Sequence, residues 1–299
     1  MTHDKMVDPA NGREFYLEAP EDLGNDEEVT FLLNLHGGGS FGAWQRLYFP
    51  AGDSADRYRL VVATPTAATA EPVRRWEGEA DDEHLRNVVE AVFDRFGLER
   101  IRSFWLVGHS QGGMTSNRLL ATDWFVERVD GWLSLSGGRI GRAQVVADFG
   151  PPRQPDEPPR FPPGTQRPRM GAAVAPKGDF SFIFATGELE ITELLDTSPW
   201  AEKYRAGPRV RLDDIVDVEP GQVYDKVREG KSSPSWGLLP RPGTAEIYVY
   251  PGAEGGRLVA DVVRLDKGHT EGLEPKITEE LVKMIVTAPG GKARALSAA

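Results

Sequence analysis

FWLVGHSQGGM, at residues 104–114, decides the fold of this chain of 299 residues. Its first four residues are apolar and predict a buried strand, and the residues that follow the glycines predict a helix. Between the two, Gly108 and Gly112 each stand two residues from Ser110. A turn this sharp holds the serine in a strained backbone conformation, so both flanking residues have to be small. The segment therefore predicts a strand, a tight turn and a helix, with the Ser110 hydroxyl at the helix N-terminus.

A second glycine-rich turn, HGGGS at residues 36–40, directly follows an apolar run at residues 29–35 that predicts another buried strand. Three glycines after a strand let the backbone approach a ligand closely. In enzymes with a G-x-S-x-G turn, such a loop supplies one of two backbone N–H groups for an oxyanion, and the residue after the serine supplies the other. The predicted donors are Gly38, with Gly39 as the alternative, and Gln111.

The composition excludes several classes of function. The formal net charge is −11 and the isoelectric point is about 5.1, which gives no electrostatic support for binding nucleic acid or an anionic membrane. With no cysteine, the chain has no disulfide, no thiolate nucleophile and no cysteine metal site. The first 15 residues lack the apolar segment of a secretory signal, and no apolar run approaches the ~18 residues of a membrane span. We therefore expect a cytoplasmic protein without nucleic-acid or membrane partners.

Strands and helices alternate along the chain, which predicts an α/β fold with a mostly parallel sheet and helices on both faces. Further strands are predicted at residues 14–17, 60–64, 131–136, 180–186, 246–250 and 258–265. Two more helices are predicted, one that Asp81 opens and Gly97 ends, and one over residues 275–287. His84 lies off the apolar face of the first of these, so we expect it to be solvent-exposed. We expect residues 1–299 to form one domain and the tail at 290–299 to be disordered.

Two long segments do not fit this alternation. Residues 139–178 are rich in proline and lack periodicity, and residues 193–243 are longer than a connection between strands requires. The first segment is either an insertion that lies over the sheet edge or forms part of a lid, or a surface loop without a catalytic role. The second is predicted to be an element that covers the substrate. Four tryptophans are candidates for the wall of an acyl pocket, although each also fits an ordinary core: Trp44, Trp76, Trp200 and Trp236.

A serine hydroxyl is a poor nucleophile unless a neighbouring base takes its proton, and histidine is the usual base. Four of the five histidines lie in the N-terminal segment, the glycine-rich loop, a helix and the serine turn itself: His3, His36, His84 and His109. His269 remains. It directly follows a predicted strand near the C-terminus, where it would reach the same sheet edge as Ser110. Elimination and position therefore predict His269 as general base and acid.

The third member of such a site is a carboxylate that orients the imidazole. Where a G-x-S-x-G turn between a strand and a helix carries the serine, the acid lies between the serine and the histidine in sequence, at the end of a strand. Glu190 fits best, because it follows the strand at 180–186 and stands three residues beyond Gly187. Glu188 is the nearest competitor. Two further acids lie beyond the turn: Glu193 and Asp196.

Together these segments resemble the α/β-hydrolase superfamily, and within it the feruloyl esterase and polyhydroxybutyrate depolymerase-like serine esterases. The resemblance lies in LHGGGS, the helix start DDEHLR, FWLVGHSQGGM, a G-x-x-acid turn and KGHTEGLEP. It covers residues 29–138 well, and residues 180–192 and 260–275 at the level of motifs. It implies a Ser–His–acid triad, no metal or other cofactor, and hydrolysis of carboxylic esters through an acyl-enzyme.

The sequence departs from this family in two respects. The acid is usually aspartate, whereas the matching residue here is Glu190, and the signal peptides and disulfides of secreted members are missing. The second difference favours a small ester inside the cell over a polymer. The expected substrate is an ester with a small or aromatic acyl group, or a hydroxyalkanoate oligomer. Two alternatives stay open: a peptidase or amidase with the same triad, and a non-catalytic binding protein.

Overall fold

A computed structural model describes residues 1–70, 73–139, 176–191, 193–222, 235–237 and 241–297. Most of the proline-rich insertion at 139–178 lies outside these ranges, as do residues 223–234 and 238–240 of the second long segment. A covering role for either segment stays a prediction.

One mixed sheet forms the centre of the described structure. Its strands are β1 (Thr2–Val7), β2 (Glu14–Ala19), β3 (Val29–Leu35), β4 (Leu60–Pro65), β5 (Ile101–His109), β6 (Gly131–Leu135), β7 (Ser181–Gly187), β8 (Val210–Arg211), β9 (Ile215–Asp217), β10 (Gly243–Val249) and β11 (Val259–Arg264). Their order is β1-β2-β4-β3-β5-β6-β7-β11-β10-β8, and β9 also pairs with β10. The six strands from β4 to β11 in this order are parallel, and the outer strands pair antiparallel.

Helices cover both faces of this sheet. They are α1 (Gly42–Tyr48), α2 (Ala55–Tyr58), α3 (Gly78–Phe96), α4 (Gln111–Leu119), α5 (Asp123–Val126), α6 (Pro199–Lys203), α7 (Pro275–Thr287) and α8 (Lys292–Ser297). Because successive side chains of a strand point to opposite faces, β3 contributes Phe31 and Leu33 to one core and Leu32 to the other. The apolar stripe of α3 packs in the first core and that of α7 in the second. The predicted fold class is confirmed. No helix in the described ranges combines the length and apolarity that crossing a membrane requires.

The N-terminal segment is more ordered than the sequence suggests. β1 was not predicted, and it pairs along its whole length with β2. The turn between them reaches α3, where Asp8 Oδ2 lies 2.7 Å from His84 Nδ1 and both side chains are fully buried. The prediction that His84 is solvent-exposed is therefore wrong, because the hairpin covers that side of the helix. α3 also begins at Gly78, three residues before Asp81.

The expected disorder of the C-terminal tail is wrong for residues 292–297, which form α8. Small residues allow this segment to pack closely. A Cβ atom on Gly290 would lie 2.2 Å from the Arg102 carbonyl oxygen, and Ala293 is fully buried. The Lys292 amide donates to Asp130 Oδ1 at 3.2 Å. The tail therefore packs against the N-terminal ends of β5 and β6.

Candidate active site

The turn between β5 and α4 holds Ser110 in a strained conformation, with φ 52° and ψ −116°. A positive φ is unusual for a residue with a side chain and marks stored strain. A Cβ atom on Gly108 would lie 2.3 Å from the Gly112 carbonyl carbon, and one on Gly112 would lie 2.3 Å from the Leu35 carbonyl oxygen. The predicted need for small residues on both sides of the serine is confirmed.

Ser110, His269 and Glu190 form a continuous hydrogen-bonded chain. Ser110 Oγ lies 2.8 Å from His269 Nε2, and His269 Nδ1 lies 2.7 Å from Glu190 Oε2. Ser110 follows β5, Glu190 ends a short turn after β7, and His269 follows β11. Because these strands are parallel, their carboxyl ends share one edge of the sheet, and residues that are distant in sequence meet there. The structure brings together the three predicted side chains.

Hydrogen-bond donors surround the Glu190 carboxylate, which is almost fully buried. Its Oε1 atom accepts from the Ser136 hydroxyl at 2.7 Å, the Gly187 amide at 2.8 Å and the Thr186 hydroxyl at 3.3 Å. These donors orient the carboxylate and leave Oε2 to face His269. This role of Ser136 was not predicted, although its place directly after β6 at the same sheet edge is a usable signal.

The competing acids point elsewhere. Glu188 is exposed and its Oε2 accepts from the Asp266 amide at 2.8 Å. Glu193 and Asp196 are exposed. Among the described carboxylates, Glu190 is the one within hydrogen-bond distance of the His269 ring.

The glycine-rich loop at 36–40 lies directly against the serine turn. A Cβ atom on Gly37 would lie 3.2 Å from Ser110 Cβ, and one on Gly38 would lie 3.5 Å from Gln111 Oε1. Any side chain at these glycines would fill the space beside the serine. The loop therefore brings its backbone close to Ser110 and Gln111.

Two backbone amides beside Ser110 have no acceptor among the residues that the structure describes. The Gly38 amide has no acceptor among the described residues. Gln111 is the first residue of α4, where an N–H has no acceptor within its own helix. Gly39, the alternative donor, gives its amide to the Arg74 carbonyl at 2.7 Å. Of the two alternative donors in the loop, the available amide is therefore that of Gly38 and not that of Gly39.

His36 holds this loop in place through both ring nitrogens. Its Nδ1–H donates to the Gly37 carbonyl at 2.8 Å, and its Nε2 accepts from the Ala67 amide at 3.0 Å. Burial lowers the pKa of His36 to about 4, so the ring is neutral near pH 7. The Trp76 indole N–H donates to the His36 carbonyl at 2.8 Å. The position of His36 in the loop was predicted from the sequence, but this supporting role was not.

The four candidate tryptophans differ in what surrounds them. Trp236 lies with its ring 5.2 Å from that of His269, and Trp44 is partly exposed on α1 with its ring 6.3 Å from that of His109. Trp200 is buried in the core against aromatic residues of and beside β7. Trp76 is buried as well. Trp236 therefore borders His269, and Trp76 borders the glycine-rich loop, where its ring lies 4.6 Å from that of His36.

Comparison with known proteins supports the fold. No protein-family model matches the chain, and no curated protein matches it either. Among solved structures, it is similar to the acetyl xylan esterase from Aspergillus awamori, with 13% sequence identity and a TM-score of 0.52. The match covers 95% of this chain and 100% of that one. The chain has the α/β-hydrolase fold.

Two weaker likenesses to solved structures were also found. TT1662 from Thermus thermophilus is 17% identical, with a TM-score of 0.49 over 96% of this chain and 100% of that one. FphF, a fluorophosphonate-binding serine hydrolase from Staphylococcus aureus, is 19% identical, with a TM-score of 0.36 over 45% of this chain and 56% of that one. In the α/β-hydrolase fold of the present chain, the G-x-S-x-G turn and the glycine-rich loop lie at the carboxyl edge of the sheet.

Proposed function

We propose that the protein is a serine hydrolase that cleaves carboxylic esters through an acyl-enzyme. One observation carries this proposal, the hydrogen-bonded chain from Ser110 through His269 to Glu190 beside the amides of Gly38 and Gln111. Such a chain supplies a nucleophile, a base and a group that orients the base. The two amides supply the stabilisation of negative charge that acyl transfer requires.

In the first half of the reaction, Ser110 Oγ attacks the ester carbonyl while its proton passes to His269 Nε2. Glu190 accepts from His269 Nδ1–H, which fixes the tautomer and stabilises the imidazolium. Charge develops on the carbonyl oxygen, where the Gly38 and Gln111 amides donate to it. Each such donor contributes on the order of 3 kcal/mol to transition-state stabilisation.

The tetrahedral intermediate then collapses, and His269 Nε2–H protonates the departing alkoxide, which leaves as the alcohol. The acyl group stays on Ser110 Oγ. In the second half, His269 takes a proton from water as the water attacks the acyl carbon, and then returns that proton to Ser110 Oγ. The products are the acid and the free enzyme.

We propose an ester with a small or aromatic acyl group, or a hydroxyalkanoate oligomer, as the substrate. Trp236 supports an apolar group near the reacting carbonyl, because its ring lies 5.2 Å from that of His269. Peptide or amide hydrolysis by the same residues is the alternative reaction.

Parallel kinetics on matched esters and amides test this proposal. With 4-nitrophenyl esters of increasing acyl length and the corresponding 4-nitroanilides, we expect hydrolysis of the esters only. In Ser110→Ala and His269→Ala, we expect kcat to fall on the order of 10⁶-fold. Equal rates on esters and anilides would show an amidase instead. Folded wild-type protein that hydrolyses neither would contradict the proposal for small acyl esters and favour the non-catalytic binding protein.

A further inference from the structure

We propose that His109 and Tyr48 are positioning residues that hold His269 in register with Ser110 through the His269 backbone carbonyl. The inference rests on the proposed function, because it assigns a role in the same site. It assigns a role to His109, which is not part of the triad, and to Tyr48, which belongs to no recognised motif.

The contact itself is a pair of hydrogen bonds to one atom. The His269 carbonyl oxygen lies 2.9 Å from His109 Nε2 and 3.2 Å from the Tyr48 hydroxyl oxygen. A carbonyl oxygen only accepts, so both side chains donate to it. His109 therefore carries its proton on Nε2. Two donors on the carbonyl restrain the backbone from which the catalytic imidazole projects.

The two donors are themselves rigid. His109 is 3% exposed and Tyr48 is 1% exposed. Their rings stack with centroids 3.9 Å apart. A Cβ atom on Gly37 would lie 2.8 Å from His109 Nδ1, so backbone packs against the other ring nitrogen. Neither side chain can turn away without disturbing its neighbours.

The position of His109 in the chain explains why this contact matters for the reaction. His109 immediately precedes Ser110, so its backbone belongs to the same strained turn as the nucleophile. Its side chain reaches the loop that carries the base. Two hydrogen bonds thus connect the serine turn to the loop of His269. One joins Ser110 Oγ to His269 Nε2 at 2.8 Å, and the other joins His109 Nε2 to the His269 carbonyl oxygen at 2.9 Å.

The charge state of His109 is consistent with such a role. Burial and the neighbouring His269 ring hold the pKa of His109 well below its ordinary value. The His109 ring is therefore neutral, although it lies 4.8 Å from the ring of His269. A neutral neighbour does not oppose the imidazolium that forms when His269 takes the serine proton.

Substitutions at His109 separate the hydrogen bond from the ring. His109→Phe keeps an aromatic ring and removes the donor. His109→Gln restores an N–H donor at the same number of bonds from Cα. We expect kcat for ester hydrolysis to fall about 10²-fold in His109→Phe with KM unchanged, since a misplacement of about 1 Å costs that much. We expect His109→Gln to recover most of the loss, and Tyr48→Phe to show a smaller fall.

A double-mutant cycle tests whether the effect passes through His269. If His109 acts by positioning the imidazole, His109→Phe has no further effect on the residual rate of His269→Ala. Tyr204→Phe is the matched control for Tyr48→Phe. The Tyr204 hydroxyl is buried and bonds the backbone of Phe180 at 2.9 Å, so its loss lowers the melting temperature without changing kcat.

Several outcomes would overturn the inference. One is folded His109→Phe with wild-type kcat, and another is an equal loss in His109→Phe and His109→Gln. A third is the same fold-loss for His109→Phe with and without the His269 side chain. If His109→Phe does not fold, Tyr48→Phe decides, and wild-type kcat there overturns the proposal. Wild-type protein that hydrolyses no ester contradicts the proposed function instead.

Discussion

Ser110 has a backbone conformation that costs free energy, on the order of 1–3 kcal/mol for a residue with a side chain at positive φ. The surrounding structure enforces it. The Ser110 amide donates to the Leu135 carbonyl at 2.8 Å, and the residues on either side belong to β5 and α4. The hydroxyl therefore stands at a fixed point, where a base can reach it without first ordering the chain.

Glu190→Gln tests the carboxylate in the proposed triad. We expect kcat for ester hydrolysis to fall by a factor on the order of 10⁴ with KM little changed, because an amide does not hold the required tautomer of His269 or stabilise its charge. Glu188→Gln is the matched control, since Glu188 is exposed and bonds the Asp266 amide. A normal kcat in Glu190→Gln would remove Glu190 from the triad.

His36 makes stability depend on pH in the acidic range. Its pKa is about 4 in the folded protein and about 6.5 when unfolded, so between these values the unfolded chain binds the extra proton. Stability therefore falls as the pH drops through this window. We expect wild type to lose about 2 kcal/mol more than His36→Gln between pH 7 and pH 4.5, measured by urea unfolding. An equal loss in both proteins would contradict this.

Single residues were predictable where chemistry left few choices. With five histidines and no cysteine, elimination selected His269. Glu190 needed only the end of one strand and a count of three residues. His84 failed because its partner, Asp8, is 76 residues away, and no local pattern reports a hairpin that folds over a helix. Contacts of the same long-range kind place Tyr48 and His109 around His269.

At the scale of elements, close packing of β3, β5 and α4 sets the shape of the serine turn. We expect Gly112→Ala to lower the free energy of unfolding by about 3 kcal/mol or more, because its Cβ atom would meet the Leu35 carbonyl at 2.3 Å. Gly78→Ala is the control. Its Cβ atom would meet nothing within 4 Å at the start of α3, so little change is expected. Chemical denaturation measures both, and equal stability of the two variants would contradict the account.

Elements with a strong apolar pattern were predicted well. The strand at residues 29–35 is β3, with every residue buried, and the helix at 275–287 is α7. The outer elements were not. β1 has alternately half-buried and exposed residues, and α8 is six residues long, so neither carries a periodic apolar signal. Their order comes from pairing with β2 and packing on the sheet, which are tertiary effects.

At the scale of the whole molecule, the parallel strands bring the residues of the candidate site together. Loops after β3, β5, β7 and β11 meet at one edge of the sheet and supply the glycine-rich loop, Ser110, Glu190 and His269. The sequence predicted this convergence because parallel strands point their carboxyl ends the same way. The sequence did not predict that the C-terminal helix packs at the opposite, N-terminal ends of these strands, where the Lys292 amide bonds Asp130.

The Lys292 amine makes the stability of the protein depend on pH in the alkaline range. Burial lowers the pKa of its amine to about 8, against about 10.4 in an unfolded chain. Between these values the unfolded chain binds more protons, so stability rises with pH. Relative to Lys292→Met, we expect wild type to gain stability as the pH rises from 8 to 10.4, followed by chemical denaturation. A difference in stability between the two proteins that stays constant over this range would rule out the half-buried amine as the cause.

The central claim is that Ser110 is an activated nucleophile, and intact-mass spectrometry after exposure to a fluorophosphonate probe tests it most directly. We predict one adduct on the wild-type protein, none on Ser110→Ala, and strongly slowed labelling of His269→Ala. Such a result would establish that the serine is activated through His269. The absence of an adduct on folded wild-type protein would contradict the account. Labelling of Ser110→Ala to the same extent as wild type would contradict it as well.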